Sequence, residues 1–186
     1  MIRLIIGISG ASGVRYGIHL LKHLSELGIE KFVVVSNSAY KIMNVELEDG
    51  ANNIKKFSDK IYKNDDLEAP ISSGSFNTDG MVVIPSSMKT VASIANGITN
   101  TLISRAADVC IKENRDLVLV PREAPINQIH LENMLSIVKS GGIIFPASPA
   151  FYNNPESIED MLDFVVGRVL DQLDINHSIF KRWGEE

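Results

Sequence analysis

The sequence predicts an α/β fold: a doubly wound parallel sheet of the Rossmann-like or flavodoxin-like kind, sandwiched between helices as three αβα layers. Three observations predict it. Five short runs are continuously apolar, "LIIGI" (4–8), "KFVVVS" (31–36), "MVVIP" (81–85), "DLVLVP" (116–121) and "GIIFP" (142–146). Strands buried on both faces read this way. Amphipathic segments alternate with these runs, and such alternation requires crossovers and therefore parallel pairing. The first run also ends in a glycine-rich turn, "GISGASG", that opens directly into a helical pattern.

Taken in order, that first helix carries Val14, Ile18 and Leu21 with Leu20, Leu24 and Leu27 on one face and stops at Gly28, a usual C-terminal signal. The second strand ends at Ser36. Helical periodicity recurs over residues 88–114, 127–140 and 155–173, and residues 65–79 form a polar loop rich in Gly, Pro and Ser. Long loops of that composition are usually functional or disordered. The 186 residues form one expected domain, 1–186, large enough to bury a core without staples. Its tail, about 174–186, carries the single tryptophan, Trp183, and is expected to pack on a neighbouring subunit, with docking on its own domain the alternative.

Composition excludes some classes of function. A net charge of -5 argues against nucleic acid as a partner. No apolar run is long enough for a membrane span or a signal segment. The one cysteine, Cys110, excludes an internal disulfide, reads as a buried small hydrophobe and fits a reducing cytoplasm. His19 and His23 stand one helical turn apart, but no third ligand has suitable spacing, so they read as a solvated helix face. His130 reads as positional and His177 as tail.

At the end of the first strand, the glycine turn aims backbone N–H groups and the hydroxyls of Ser9 and Ser12 at an anion-sized space. Its spacing is G-x-x-G-x-x-G rather than G-x-G-x-x-G, and Ser36 stands where a ribose-binding acid belongs. No G-x-x-x-x-G-K-[ST] loop is present either. A mononucleotide or a phosphate is the ligand class this favours, although close helix–strand packing explains such glycines as well. Three more polar segments follow buried strands: "SSMKTVASIANG" (86–97), "REAPINQIHLENM" (122–134) and "ASPAFYNNP" (147–155). Pro85, Pro121 and Pro146 precede them at equivalent places. One shared rim at the carboxyl edge of the sheet would make a pocket for an anionic, planar ligand.

Together, "GISGASG", "PSSMKTVASIANG", "RAADVCIKENRDLVLVPREAPINQIHLENM", "PASPAFYNNPESIEDMLDFVVGRVLDQL" and "KRWGE" resemble the flavin prenyltransferases of the UbiX type over essentially the whole chain. That family was formerly described as aromatic-acid or polyprenyl-hydroxybenzoate decarboxylases. The resemblance implies prenylation of reduced FMN at N5 and then C6 by dimethylallyl monophosphate, without a metal. It implies a product handed to a UbiD-type decarboxylase, and a homododecamer with active sites between subunits. By the same resemblance FMN is held by Gly10, Ala11, Ser12, Ser36, Ser87, Met88, Lys89, Thr90 and Arg122. The prenyl phosphate falls to Ser12, Lys112, Arg122, Tyr152 and Arg168, and Glu46, Lys112, Glu123 and Arg168 are the expected catalytic groups. Lys89 replaces a small residue of many relatives, which sets a charge beside the flavin.

The residues also allow structural readings. Arg168 can pair with Asp163 or Asp171, Lys112 suits a helix end, and Arg122 can pair with Glu123. Ser86 and Ser87 can be caps, and Tyr152 can be packing. Two other functions fit the fold: an FMN-dependent cysteine decarboxylase, which needs a histidine and a P-x-S-A-N-T segment, and a flavin carrier, which needs no cationic clamp.

Overall fold

Six strands pair in the order β3-β2-β1-β4-β5-β6, every neighbouring pair parallel. The computed structural model describes residues 1–184; Glu185 and Glu186, at the end of the expected tail, lie outside them. The elements are β1 (Arg3–Ile8), α1 (Val14–Glu26), β2 (Glu30–Val35), α2 (Asn37–Glu46), α3 (Gly50–Phe57), β3 (Lys60–Lys63), β4 (Gly80–Ser86), α4 (Met88–Ala95), α5 (Leu102–Lys112), β5 (Asp116–Pro121), α6 (Gln128–Lys139), β6 (Ile143–Ile144) and α7 (Ile158–Asp171). The chain winds outward from β1 to β3, then crosses back to β4 and winds the other way. The switch point, where such sheets bind ligands, therefore lies between the carboxyl ends of β1 and β4.

The period-2 alternation of the strands divides the core. Leu4, Ile6 and Ile8 of β1 join Val82 and Ile84 of β4 against Leu20 and Leu24 of α1 and Val165 and Val169 of α7. Ile5 joins Met81 and Val83 on the opposite face, against Val91 of α4 and Leu102 and Ala106 of α5. Each such side chain contributes roughly 1.5–3 kcal/mol on burial. Ser9 extends the β1–β4 contact beyond the ladder. Its N–H donates to Pro85 O at 3.1 Å, and its Oγ donates to the same oxygen at 3.2 Å and accepts from Ser87 N–H at 2.7 Å.

The structure corrects several sequence expectations. The helical stretch 88–114 is two helices, because Gly97 turns the chain at φ 65° and Thr101 restarts it with a capping box to Ser104. Helices α2 and α3 and the edge strand β3 were not legible, being short and polar; β3 is "KIYK", whose exposed lysines suit an edge. The loop 65–79 is ordered around a 3-10 turn, Pro70–Ser72, with Ile71 buried. The Arg115 guanidinium fastens it by donating to the carbonyls of Gly74 and Phe76.

His19 and His23 are not a solvated face. Both ring Nε2 atoms lie against Asp163 Oδ1 of α7, at 2.5 and 2.8 Å; a partner far along the chain could not be read from local spacing. His177 is not loose tail either. Its side chain is 1% exposed and bonds Asp171 at 3.1 Å, while Phe180 packs on Gly167. Residues of the tail thus fold back on α7 of their own chain, yet Trp183 is 80% exposed. No helix among the described residues is long and apolar enough to cross a membrane.

Two outcomes follow from these environments. Burial pushes the Cys110 thiol up to about 12, so it carries almost no thiolate at pH 8. A thiol reagent is expected to leave the native protein unmodified and to label it once denatured; rapid native labelling would show the site to be open. Burial raises Asp171, but the hydrogen bond and charge of Arg182 and the charge of His177 outweigh that and hold it below its usual range. Its stabilisation is complete above the ordinary carboxylate range and is lost as pH falls through the lowered value. Trp183 fluorescence is expected to report tail release in acid, and Asp171→Asn to release the tail already at neutral pH.

Candidate functional site

At the switch point a cleft of about 180 Å³ opens between the first turns of α2, α4 and α5. Five predicted residues line it: Gly10, Ser36, Ser87, Lys89 and Thr90. Sequence reasoning missed Ser38, Asn64, Ser93, Asn100, Thr101, Ile103 and Ser104, which complete the lining. The T-x-x-S capping spacing of Thr101 and Ser104 was the signal available for two of them. Ala11 and Met88 are buried behind the cleft and Ser12 is exposed on the turn. Gly10 is required by proximity, since a Cβ there would lie 2.4 Å from Ser38 Cβ. Gly13, at φ 99°, reverses the turn into α1.

Four of the helices that begin at this edge, α1, α2, α4 and α5, have N-terminal N–H groups that are unequally free. The Glu46 carboxylate accepts from Gly13 N–H at 2.9 Å and Val14 N–H at 3.0 Å, so the start of α1 already holds an anion. Asn64 takes the first N–H groups of α5, its carbonyl accepting from Leu102 at 2.8 Å and its Oδ1 from Ile103 at 3.1 Å. Ser36 and Ser87, the N-caps of α2 and α4, accept only from Ala39 and Thr90. The N–H groups of Asn37 and Ser38, and of Met88 and Lys89, have no partner among the described residues. With Lys89 and several hydroxyls beside them, these two helix starts offer free donors of the kind that suit an anion. Within the glycine turn Glu46 occupies the Gly13 N–H, and the N–H groups of Gly10 and Ser12 have no partner among the described residues.

Arg122 follows β5 and lies close enough to Tyr16 for its charge to oppose the rise that burial gives the Tyr16 phenol. It therefore stands beside the glycine turn. Glu123 is exposed and its Oε1 accepts from Ala124 N–H at 3.1 Å, rather than pairing with Arg122. The remaining expected clamp does not assemble within one chain. Helix α5 carries Lys112 about 16 Å from its start, to the amino edge, where it pairs with Glu113 at 3.5 Å. Helix α7 ends near Gly80 through Leu173, and Arg168 in its last turn sits 3.3 Å from Asp171. Tyr152 stands edge-on to Phe164 and Trp183, at 5.8 and 5.3 Å between ring centres. Lys112, Arg168 and Tyr152 thus lie outside the cleft of their own chain.

A parallel sheet with a polar cleft at its switch point suits a phosphate-bearing ligand, and residues 1–170 match the Flavoprotein family. The chain belongs, within that class, to the flavin prenyltransferases. It is 49% identical over 182 residues to flavin prenyltransferase UbiX of Methanocaldococcus jannaschii, spanning 98% of both chains. It is 49% identical over 181 residues to the mitochondrial flavin prenyltransferase PAD1 of Saccharomyces cerevisiae, spanning 97% of this chain and 75% of that one. The crystal structure of AnUbiX (PadA1) in complex with FMN and dimethylallyl pyrophosphate superposes with a TM-score of 0.97 at 44% identity, over 100% of this chain and 98% of that one. A dodecameric FMN-dependent UbiX-like decarboxylase from Escherichia coli O157:H7 gives 0.95 at 46%, over 98% and 99%. The peptidyl-cysteine decarboxylase EpiD, at 0.66 and 21% over 93% of this chain and 99% of that one, shares the fold.

Removing the Glu46 anion from the start of α1 is expected to destabilise the protein by about 0.5–2 kcal/mol, the usual range for a lost cap. Chemical denaturation of Glu46→Ala checks this, and unchanged stability would mean that water replaces the carboxylate at no loss.

Proposed function

We propose that this flavin prenyltransferase transfers a dimethylallyl group from dimethylallyl monophosphate to N5 and then C6 of reduced FMN. The observation that carries the reading is the near-complete superposition on AnUbiX, whose crystal structure contains FMN and dimethylallyl pyrophosphate. FMN is the prenyl acceptor, and its phosphate lies between the starts of α2 and α4, held by Ser36, Ser87, Lys89 and Thr90. Gly10, Ala11, Ser12 and Met88 shape the wall along which the flavin runs toward Arg122.

In the transfer, the bond between the prenyl carbon and the phosphate oxygen breaks and its electron pair leaves with the phosphate. The N5 lone pair forms the first new bond. N5 gives up its proton, and proton delivery from the departed phosphate to the inner carbon of the prenyl double bond then makes the tertiary carbon electrophilic. C6 attacks that carbon to close the ring, and the C6 proton passes to the phosphate. Cations aimed at the leaving oxygen accelerate such a step, and loss of one such donor typically costs about 10²–10³ in rate. Arg122, Lys112, Arg168 and Tyr152 supply that clamp without a metal, with Glu46 and Glu123 at its edge.

Since Lys112, Arg168 and Tyr152 lie outside their own chain's cleft, the clamp is completed by neighbouring copies in a homododecamer. The cleft supports this: about 180 Å³ is below the roughly 300–1,000 Å³ of a complete ligand pocket. So does α6, whose outer face shows Ile129, Leu135 and Val138 more than half exposed, as an interface helix would. The prenylated flavin is consumed by a UbiD-type decarboxylase.

Anaerobic incubation with reduced FMN and either dimethylallyl monophosphate or the diphosphate, followed by mass analysis of the extracted flavin, tests the reaction. A gain of one dimethylallyl unit from the monophosphate is expected, and unchanged flavin despite tight binding would refute it. Arg122→Ala and Arg168→Ala are each expected to be inactive yet to recover partial activity when co-expressed. Absence of recovery would place both groups in one chain's site.

A further inference from the structure

We propose that His19, His23 and Asp163 form a binding site for a divalent transition metal of the zinc class, bridging α1 to α7. The two histidines are spaced i, i+4, so both rings leave the same face of α1. The carboxylate that meets them comes from the middle of α7, 140 residues or more away in sequence. All three ligand atoms lie within 4.8 Å of one another, and all three side chains are half-buried. None of the three lines the cleft at the switch point.

Hydrogen-bond chemistry identifies what belongs at their meeting point. A neutral imidazole has one N–H donor and one bare acceptor nitrogen. His23 faces a carboxylate at each nitrogen: Glu26 Oε2 lies 3.2 Å from Nδ1 and Asp163 Oδ1 lies 2.8 Å from Nε2. A neutral His23 therefore aims a lone pair at a carboxylate oxygen whichever tautomer it adopts. His19 directs its own Nε2 at that same Asp163 oxygen. A cation at the convergence resolves the conflict: Nδ1–H of His23 donates to Glu26, while both Nε2 lone pairs and Asp163 bind the metal. Glu26 then acts as the outer carboxylate that fixes the tautomer of a metal-bound histidine.

The geometry is compatible with that occupant. Bonds of about 2.0–2.2 Å at a tetrahedral zinc separate its ligand atoms by about 3.4 Å, so each histidine nitrogen needs to draw away from Asp163 Oδ1 by less than about 1 Å, and the two nitrogens lie within 4.8 Å of each other. Two nitrogens and one oxygen suit zinc better than calcium or magnesium, which take oxygen sets. The site is also reachable. Asp163 lines a surface depression with Asn153 and Lys181, and His23 lines a second with His177; Ile179 borders both. Three protein ligands leave a fourth position for water, and the metal staples the helix that follows the glycine turn to the one that carries Arg168.

The test uses the full-length protein, stripped with chelator, dialysed and titrated with zinc chloride against a chromophoric competitor. One zinc per chain is expected, with a higher melting temperature in the loaded protein. His23→Gln and Asp163→Asn are each expected to abolish binding, Glu26→Gln to weaken it about 10–100-fold, and His130→Gln, on the exposed α6, to leave it unchanged. FMN binding by each variant confirms folding. Failure of the wild type to bind a stoichiometric zinc would overturn the site in favour of a protonated His23, as would zinc binding that survives both ligand substitutions.

Discussion

The constraint on which the site depends is the allocation of helix N-terminal N–H groups at the carboxyl edge. Among the helices that start there are α1, α2, α4 and α5, and a helix start offers unpaired donors and a favourable dipole to an anion. Two are closed by the chain itself. Glu46 reaches back from the end of α2 to close α1, and Asn64, just after β3, closes α5. What is left open is the pair α2 and α4, capped by Ser36 and Ser87 and flanking the cleft. The glycine turn serves as scaffold: Gly10 lets α2 approach, and Ser9 locks the ends of β1 and β4 that set the spacing between the two open starts.

The same topology explains why Lys112 and Arg168 lie away from their own chain's cleft. In a parallel sheet each crossover helix runs from the carboxyl edge to the amino edge, so residues at its end are carried a helix length from the ligand. Lys112 and Arg168 both occupy last turns, the favourable place for a cation within a helix and the wrong place for reaching their own chain's cleft. Exposed apolar residues on α6 and the exposed Phe151, Tyr152 and Trp183 offer the surface over which copies would pack.

Much of this was legible in the sequence, for physical reasons. Strands buried on both faces announce themselves as unbroken β-branched runs, so five of the six strands were read within a residue or two, and the helices that cover them followed from 3.6-residue spacing. The N-cap role of Ser87 was visible as a hydroxyl between a strand and a helical pattern. The short polar elements α2, α3 and β3 were not, since neither an apolar stripe nor a strict alternation marks them. Pairings between distant residues were also hidden. Glu46 with Gly13, Asn64 with Ile103, and Asp163 with His19 and His23 each join segments at least 30 residues apart, and no local pattern encodes such a contact. The family resemblance named the site residues but could not say which of them one chain brings together.

The most direct measurement is the ratio of affinities for FMN and riboflavin, which isolates the phosphate. Lys89→Ala is expected to reduce that ratio at least tenfold, because it removes a cation from the open pair of helix starts. Glu46→Gln is expected to leave the ratio unchanged, because the start of α1 is not where the phosphate lies. A ratio insensitive to Lys89 but altered by Glu46→Gln would place the phosphate on the glycine turn and contradict the allocation of helix ends described above.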